Sequence, residues 1–256
     1  MSLNFENHGA ILATVKDNPA LEKKFISVST SKTSESGDMT FPSINLSVGT
    51  FQPVMNYNAE RFVGYIVGAS GSGKSYFIRE WVKEYHKKFK KNPVYLFSAL
   101  SHDETLDTIK PQRICLDDAF VNDPVDLGLY ENSLLIFDDC DSIANKKIKE
   151  KVYIVLNAAL NLGRHFNISI WAVNHTPTGK RAESKTILNE SHLVVFFPAN
   201  FNRQLAYLLE SYCGLDSKAI KKIKQIESRW CAIWRLYPQV LITERNITLM
   251  KLINED

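Results

Sequence analysis

Eight consecutive residues have the types and order needed to hold a chain of phosphates: Gly68, Ala69, Ser70, Gly71, Ser72, Gly73, Lys74 and Ser75. They fit the pattern G-x-x-x-x-G-K-[ST], in which glycines let the backbone turn its N–H groups inward on anionic oxygens. A helix beginning at the end of such a loop adds its positive dipole end. Lys74 is then expected to reach the β- and γ-phosphates of ATP, and the Ser75 hydroxyl to ligate Mg²⁺. The same letters in a Gly/Ser turn would do none of this. The strand-like run Phe62–Val67 before the loop and the helical pattern after it argue against a chance match.

Further along, Leu134-Leu-Ile-Phe-Asp138-Asp139 is an apolar run ending in two carboxylates. Such a strand is expected beside the phosphate-loop strand, with Asp138 holding Mg²⁺ and Asp139 polarising an attacking water as general base. The bland reading is a strand that ends in an acidic turn. Asp117-Asp118 is a rival pair without a long apolar run before it. A third segment runs from Gly163-Arg164-His165 through Ile168-Ser-Ile-Trp-Ala-Val173 to Asn174-His175. Polar groups at the C-terminal end of a parallel strand face the catalytic edge of the sheet. Asn174 is therefore placed to sense the γ-phosphate or orient the water, unless it only forms a turn. Arg164 lies at the opposite end of that strand. It is expected to reach a neighbouring subunit's nucleotide in trans, or else to complement a helix dipole.

The elements that must position these residues follow from the apolar pattern. Strands are expected at 62–67, 93–98, 134–137, 168–173 and 193–197. Helices are expected at 75–90, 146–162, near 201–212 and near 217–227, with closing strands at 229–236 and 239–249. Strand–helix alternation implies an α/β protein with a central, mostly parallel sheet flanked by helices. The fold class is a P-loop NTPase of the type with an additional strand between the two motifs, carrying a small C-terminal β/α extension from about residue 213. Residues 1–60 read as a partly irregular N-terminal extension with strand-like pieces at 24–28 and 44–48 and a Ser/Thr-rich stretch at 29–37. No chemistry is assigned to it. Residues 61–256 form the ATPase domain in this reading.

Composition sets the outer bounds. The 256 residues are 45% hydrophobic and 23% charged, which excludes collagen-like, mostly disordered and disulfide-scaffold classes. No apolar run approaches the ~20 residues needed to cross a bilayer, and no signal peptide opens the chain. Cys115, Cys140, Cys213 and Cys231 have no metal-ligand spacing and read as reduced, buried thiols of an intracellular protein. A net charge of +3 does not by itself argue for a nucleic-acid partner.

Together these segments resemble the FtsK–HerA superfamily of P-loop DNA-pumping ATPases. Within it they are most similar to the genome-packaging ATPases of poxviruses and other large DNA viruses. The likeness rests on Gly68–Ser75, the Asp138-Asp139 strand, the Gly-Arg-His segment running into Ile168–Asn174, and Ile187–Pro198, and it covers roughly Arg61 to Tyr212. It implies Lys74 and Ser75 as ATP and Mg²⁺ contacts, Asp138 as the metal carboxylate and Asp139 as the catalytic acid. It implies Asn174 as sensor and Arg164 as an arginine finger. Asp139 stands where Glu is commoner, and Asn174 where many relatives have Gln; each shortens reach by one methylene. The resemblance further implies a homo-oligomeric ring of roughly five or six subunits that pulls double-stranded DNA into a capsid. It would work with capsid-vertex or internal-membrane proteins, at sites of virion assembly in the host cytoplasm and in association with the virion.

Positive charge for such DNA is expected from Lys83, Lys87, Lys88, Lys90 and Lys91, from Lys146–Lys151, from Lys218–Lys224, and from a flexible basic loop at 176–185. The alternative for each lysine run is a solvated helix face. No base-reading motif is present, so binding is expected to be independent of DNA sequence. Trp81, Trp171, Trp230 and Trp234 are expected in the core. Two other functions compete: a small P-loop kinase, which usually needs an arginine-rich lid not seen here, and a nucleotide-dependent assembly switch.

Overall fold

In a computed structural model, residues 1–22, 24–30, 41–177 and 182–251 are described. The 31–37 part of the Ser/Thr stretch and positions 178–181 of the basic loop lie outside them. The strands run in order β1 (Ser2–Asn4), β2 (Ala10–Lys16), β3 (Phe25–Ser29), β4 (Ser43–Asn45), β5 (Thr50–Pro53), β6 (Val63–Val67), β7 (Val94–Ser98), β8 (Gln112–Arg113), β9 (Leu134–Asp138), β10 (Ser169–Asn174), β11 (Leu193–Phe196), β12 (Cys231–Trp234), β13 (Val240–Thr243) and β14 (Asn246–Leu249). The helices are α1 (Lys74–Lys88), α2 (Asp118–Asn122), α3 (Lys146–Leu162), α4 (Ala182–Glu190), α5 (Arg203–Cys213) and α6 (Ser217–Lys224). The chain divides into two compact units, Glu60–Ser191 and Met1–Ala59 with His192–Asp256.

In the unit Glu60–Ser191 the strands lie in the order β6-β10-β9-β7-β8, every neighbouring pair parallel. The strand bearing Asp138 is thus not beside β6, as one reading of the sequence expected: β10 stands between them. Sequence order carries no strand order, and β10 is suited to the central place. All six of its residues are buried and it pairs along both edges. Full burial of successive residues in β6, β9 and β10 means that both faces are covered. The α/β class and the additional strand are as expected.

An aromatic cluster fixes α1 against this sheet. Trp81 packs on Phe62 at 4.6 Å and on Trp171 at 5.4 Å, ring centre to ring centre. Phe77 meets Trp171 edge-on at 6.0 Å. Such pairs contribute about 0.5–1.5 kcal/mol each beyond area burial. Gly64 permits the approach, because a Cβ there would stand 2.5 Å from the Trp171 ring. α3 has the apolar spacing of a buried stripe, with Val152, Val155, Leu156, Ala159 and Leu160 inside, and it starts on Asn145, whose side chain accepts from the N–H groups of Lys147 and Ile148. The second half of the expected basic loop is instead helix α4.

The other unit is antiparallel. β1-β3-β2-β5 form one four-stranded sheet, with a bulge in β2 between Ile11 and Ala13. β11-β12-β13-β14-β4 form a continuous ladder. β4 therefore pairs with a strand some two hundred residues away, Ile44 opposite Ile247. The expected closing strand at 239–249 is two strands reversing at Glu244-Arg245. Trp81, Trp171 and Trp234 are buried as expected, but Trp230 is only half-buried because it lies outside β12. Cys140, Cys213 and Cys231 are buried and Cys115 is exposed, in the open segment before α2. No helix among the described residues is long and apolar enough to cross a membrane.

Candidate functional site

Strand register brings the expected residues to one edge. Val173 pairs with Ile66 on one side of β10 and with Asp138 on the other; Asn174 pairs with Val67, and Ser98 with Asp138. The C-terminal ends of β6, β7, β9 and β10 are therefore level. Two strand spacings separate β6 from β9, about 10 Å. The phosphate loop leaves β6 at Gly68, whose N–H bonds the Asn174 carbonyl at 3.2 Å.

The loop has the features an anion needs. α1 begins at Lys74, its N-cap is Gly73 at φ 106°, and no side chain caps it. Its first N–H groups are left for an external acceptor. That φ is left-handed and strained for any residue with a Cβ. Gly71 is exposed at φ 75°, and a Cβ there would meet nothing within 4 Å. The Ser72 hydroxyl is buried with no partner. These features fit bound phosphate.

Lys74 is buried, and burial pulls its pKa down against the support of Asp139 and Asp138. Its ammonium donates to the carbonyls of Gly68 at 2.9 Å and Ala69 at 3.3 Å. It also lies 3.1 Å from Nδ1 of His175. Ser75 Oγ donates to Asp103 Oδ2 at 3.4 Å. Asp138 is buried at the end of β9 and accepts from Ser98 Oγ at 3.4 Å. Burial first, then repulsion from Asp139 and Asp103, pushes its pKa up to about 7, opposed by Lys74. A carboxylate in that state is one that a cation would relieve, so Asp138 has the chemistry of a cation ligand, while the Ser75 hydroxyl is held on Asp103.

Asp139 follows in left-handed backbone, φ 46°, a conformation that costs a non-glycine residue about 1 kcal/mol or more. Its N–H bonds the Val173 carbonyl at 3.1 Å. One carboxylate oxygen meets His175 Nε2 at 2.7 Å, and the other, Oδ1, is buried without a partner. Asn174 is buried and donates through Nδ2 to the Tyr65 hydroxyl at 3.3 Å. That hydroxyl lies 3.1 and 3.0 Å from the Thr176 and Pro177 carbonyls. Burial drives the Tyr65 pKa upward, so it stays a neutral phenol.

Arg164 is not in this group. It is exposed in the turn Gly163–Phe166 between α3 and β10, paired with Glu60 at 2.5 Å. The helix-end role weighed for it belongs to Arg61 instead, which donates to the Ala159 and Leu160 carbonyls at 2.9 and 2.8 Å near the end of α3. Asp117 caps α2 by accepting from the Phe120 N–H at 3.0 Å. Of the lysines expected on DNA, Lys83 pairs with Glu80, Lys87 with Glu84 and Lys146 with Glu150. His175, Asp103 and Tyr65 belong to the site but were missed by the sequence reading. His175 was visible as the residue after Asn174; Asp103 and Tyr65 carry no motif.

Fold and loop define the class: a P-loop α/β protein of the additional-strand type. No family model matches the chain. It is 38% identical over 197 residues to an uncharacterized protein V3 of Sputnik virophage, covering 77% of this chain and 80% of that one, and it belongs to the same family as that virophage protein. Among solved structures it is similar in fold to the cytoplasmic domain of the type VII secretion ATPase EccC of Thermomonospora curvata. That likeness has a TM-score of 0.51 and 10% identity, over 92% of this chain and 28% of that one. It is also similar to B204, the DNA-packaging ATPase of Sulfolobus turreted icosahedral virus. There the TM-score is 0.49 and the identity 17%, over 73% of this chain and 98% of that one.

Proposed function

We propose that this protein is an ATP-driven motor that packages viral double-stranded DNA. The observation that carries the reading is the convergence of Lys74, Asp138, Asp139 and Asn174 at the level ends of β6, β9 and β10 around an uncapped helix start. Membership of a virophage family supports the viral setting.

In this reading the N–H groups of Gly71 and of Gly73 to Ser75 hold the phosphates, the Ser72 N–H being bonded to the Ala69 carbonyl, and Lys74 Nζ donates to β- and γ-phosphate oxygens. Mg²⁺, held by Ser75 Oγ and Asp138, would neutralise charge on the phosphates. Asp139 Oδ1 takes a proton from the attacking water. Asn174 turns its amide from Tyr65 to orient that water. Arg164 of each copy leaves Glu60 and reaches the nucleotide of the next copy in a ring, stabilising charge in trans. DNA is held through its phosphates without base reading. The motor acts where virions assemble.

The test is ATP hydrolysis with and without long double-stranded DNA, wild type beside Lys74→Ala, with the protein sized in the same buffer. DNA of any sequence should stimulate hydrolysis, and Lys74→Ala should abolish it. A phosphorylated small-molecule product would instead mean a kinase. Nucleotide binding without turnover in an assembled ring would mean a switch.

A further inference from the structure

We infer that His175 is a positioning residue with two separable tasks: its Nδ1 occupies Lys74 until phosphate displaces it, and its Nε2 aims Asp139. The inference rests on the phosphate reading of the Gly68–Ser75 loop. It starts from donor arithmetic. An ammonium has three N–H donors and no lone pair. All three of Lys74 find acceptors: the Gly68 carbonyl, the Ala69 carbonyl and His175 Nδ1.

Because Lys74 can only donate, Nδ1 must accept, and the ring proton must sit on Nε2. That nitrogen lies 2.7 Å from an Asp139 carboxylate oxygen, which can only accept when ionised. The two contacts therefore select one neutral tautomer. A doubly protonated ring would turn an N–H toward the ammonium.

A phosphate oxygen reaching Lys74 has no spare donor to use, so one acceptor must leave. Gly68 and Ala69 offer carbonyls from the loop backbone that cradles the phosphates. His175 offers a side chain, 44% exposed, on the segment after β10. It is the acceptor that can leave without unfolding the loop. Its Nε2–H can stay on Asp139 when it does, leaving Asp139 Oδ1 turned to the water. Nucleotide binding would thus be opposed by one ring nitrogen and hydrolysis aided by the other.

The amide side chains separate these tasks, since Asn places its amide near the Nδ1 position and Gln near the Nε2 position. Binding is read with the fluorescent nucleotide mant-ATP in EDTA, and turnover as kcat for Mg-ATP. His175→Ala and His175→Gln should bind mant-ATP about fivefold more tightly, because a charged hydrogen bond competing with phosphate is lost. His175→Asn should stay within about twofold of wild type. His175→Ala and His175→Asn should lose about tenfold or more in kcat, and His175→Gln should recover most of it. ¹⁵N NMR of the nucleotide-free protein should show His175 protonated at Nε2 only, with the Nδ1 signal shifting when mant-ATP binds. A ring protonated at Nδ1 overturns the inference. So does a His175→Ala variant that binds more weakly, or one unchanged in both binding and kcat while Lys74→Ala abolishes binding. Lys74→Ala that binds mant-ATP like wild type overturns the phosphate reading itself.

Discussion

The two ends of the parallel sheet in Glu60–Ser191 hold charge in opposite ways. At the C-terminal ends, Lys74 and Asp138 are buried, Asp139 sits in left-handed backbone, and Asp139 Oδ1 and Ser72 Oγ lack partners. At the N-terminal ends, Arg61 serves two carbonyls and lies 3.6 Å from Glu190, while Arg164 and Glu60 pair in solvent. Of these named groups, those at the first end leave two oxygens unsatisfied and those at the second are paired. Left-handed backbone occurs at both ends, at Asp139 and at Asn132 and Asn167, but the two asparagine side chains bond each other while Asp139 keeps one bare oxygen.

Substitutions can break or sharpen that contrast. Lys74→Ala should have the largest effect, lowering kcat/KM for ATP by about a hundredfold or more with little change in melting temperature. Asp139→Asn should lower kcat by about a hundredfold while mant-ATP affinity holds, since the carboxylate moves a proton rather than binding phosphate. Arg61→Met should do the reverse. It takes the arginine donor from the Leu160 and Ala159 carbonyls, the latter keeping the Gly163 N–H, so urea denaturation should show a loss of about 1–2 kcal/mol, with kcat unchanged in the folded protein.

Asp138→Asn should stabilise the metal-free protein in EDTA by about 1–3 kcal/mol at pH 8 while removing Mg-dependent turnover. The sign follows from burial. The folded pKa is raised to about 7 from an ordinary 3.8. Stability from the protonated group is full below the unfolded value and lost as pH rises through the folded one. The gain from Asn should therefore shrink between pH 8 and pH 4. A destabilised Asp138→Asn would break the contrast. Arg164→Ala is expected to be thermally silent, since its pair is exposed. If it acts in trans, mixing Arg164→Ala with Lys74→Ala subunits should restore hydrolysis that neither has alone. Inactive mixtures would leave Arg164 with the structural end of the sheet.

Some of this was legible without coordinates. Gly68–Ser75, Asp138-Asp139 and Asn174 were readable as candidates that share one sheet edge, because each stands at the end of an apolar run and local spacing is what a sequence displays. The helices at 74–88 and 146–162 were readable because an amphipathic stripe repeats every turn. α4 was not, because its start falls in a segment whose basic, polar composition reads as loop.

The sequence by itself determined the α/β alternation, the phosphate-loop motif and the sheet edge at which the candidate residues lie. Only the tertiary structure decided that β10 stands between β6 and β9 and that β4 joins β14. It also decided that Arg61 rather than Arg164 serves the end of α3, and that His175 joins Lys74 to Asp139. Each of these is a pairing between residues far apart in the chain. Hydrogen-bonding groups of one strand or one arginine are alike to many partners, and only packing in three dimensions selects among them.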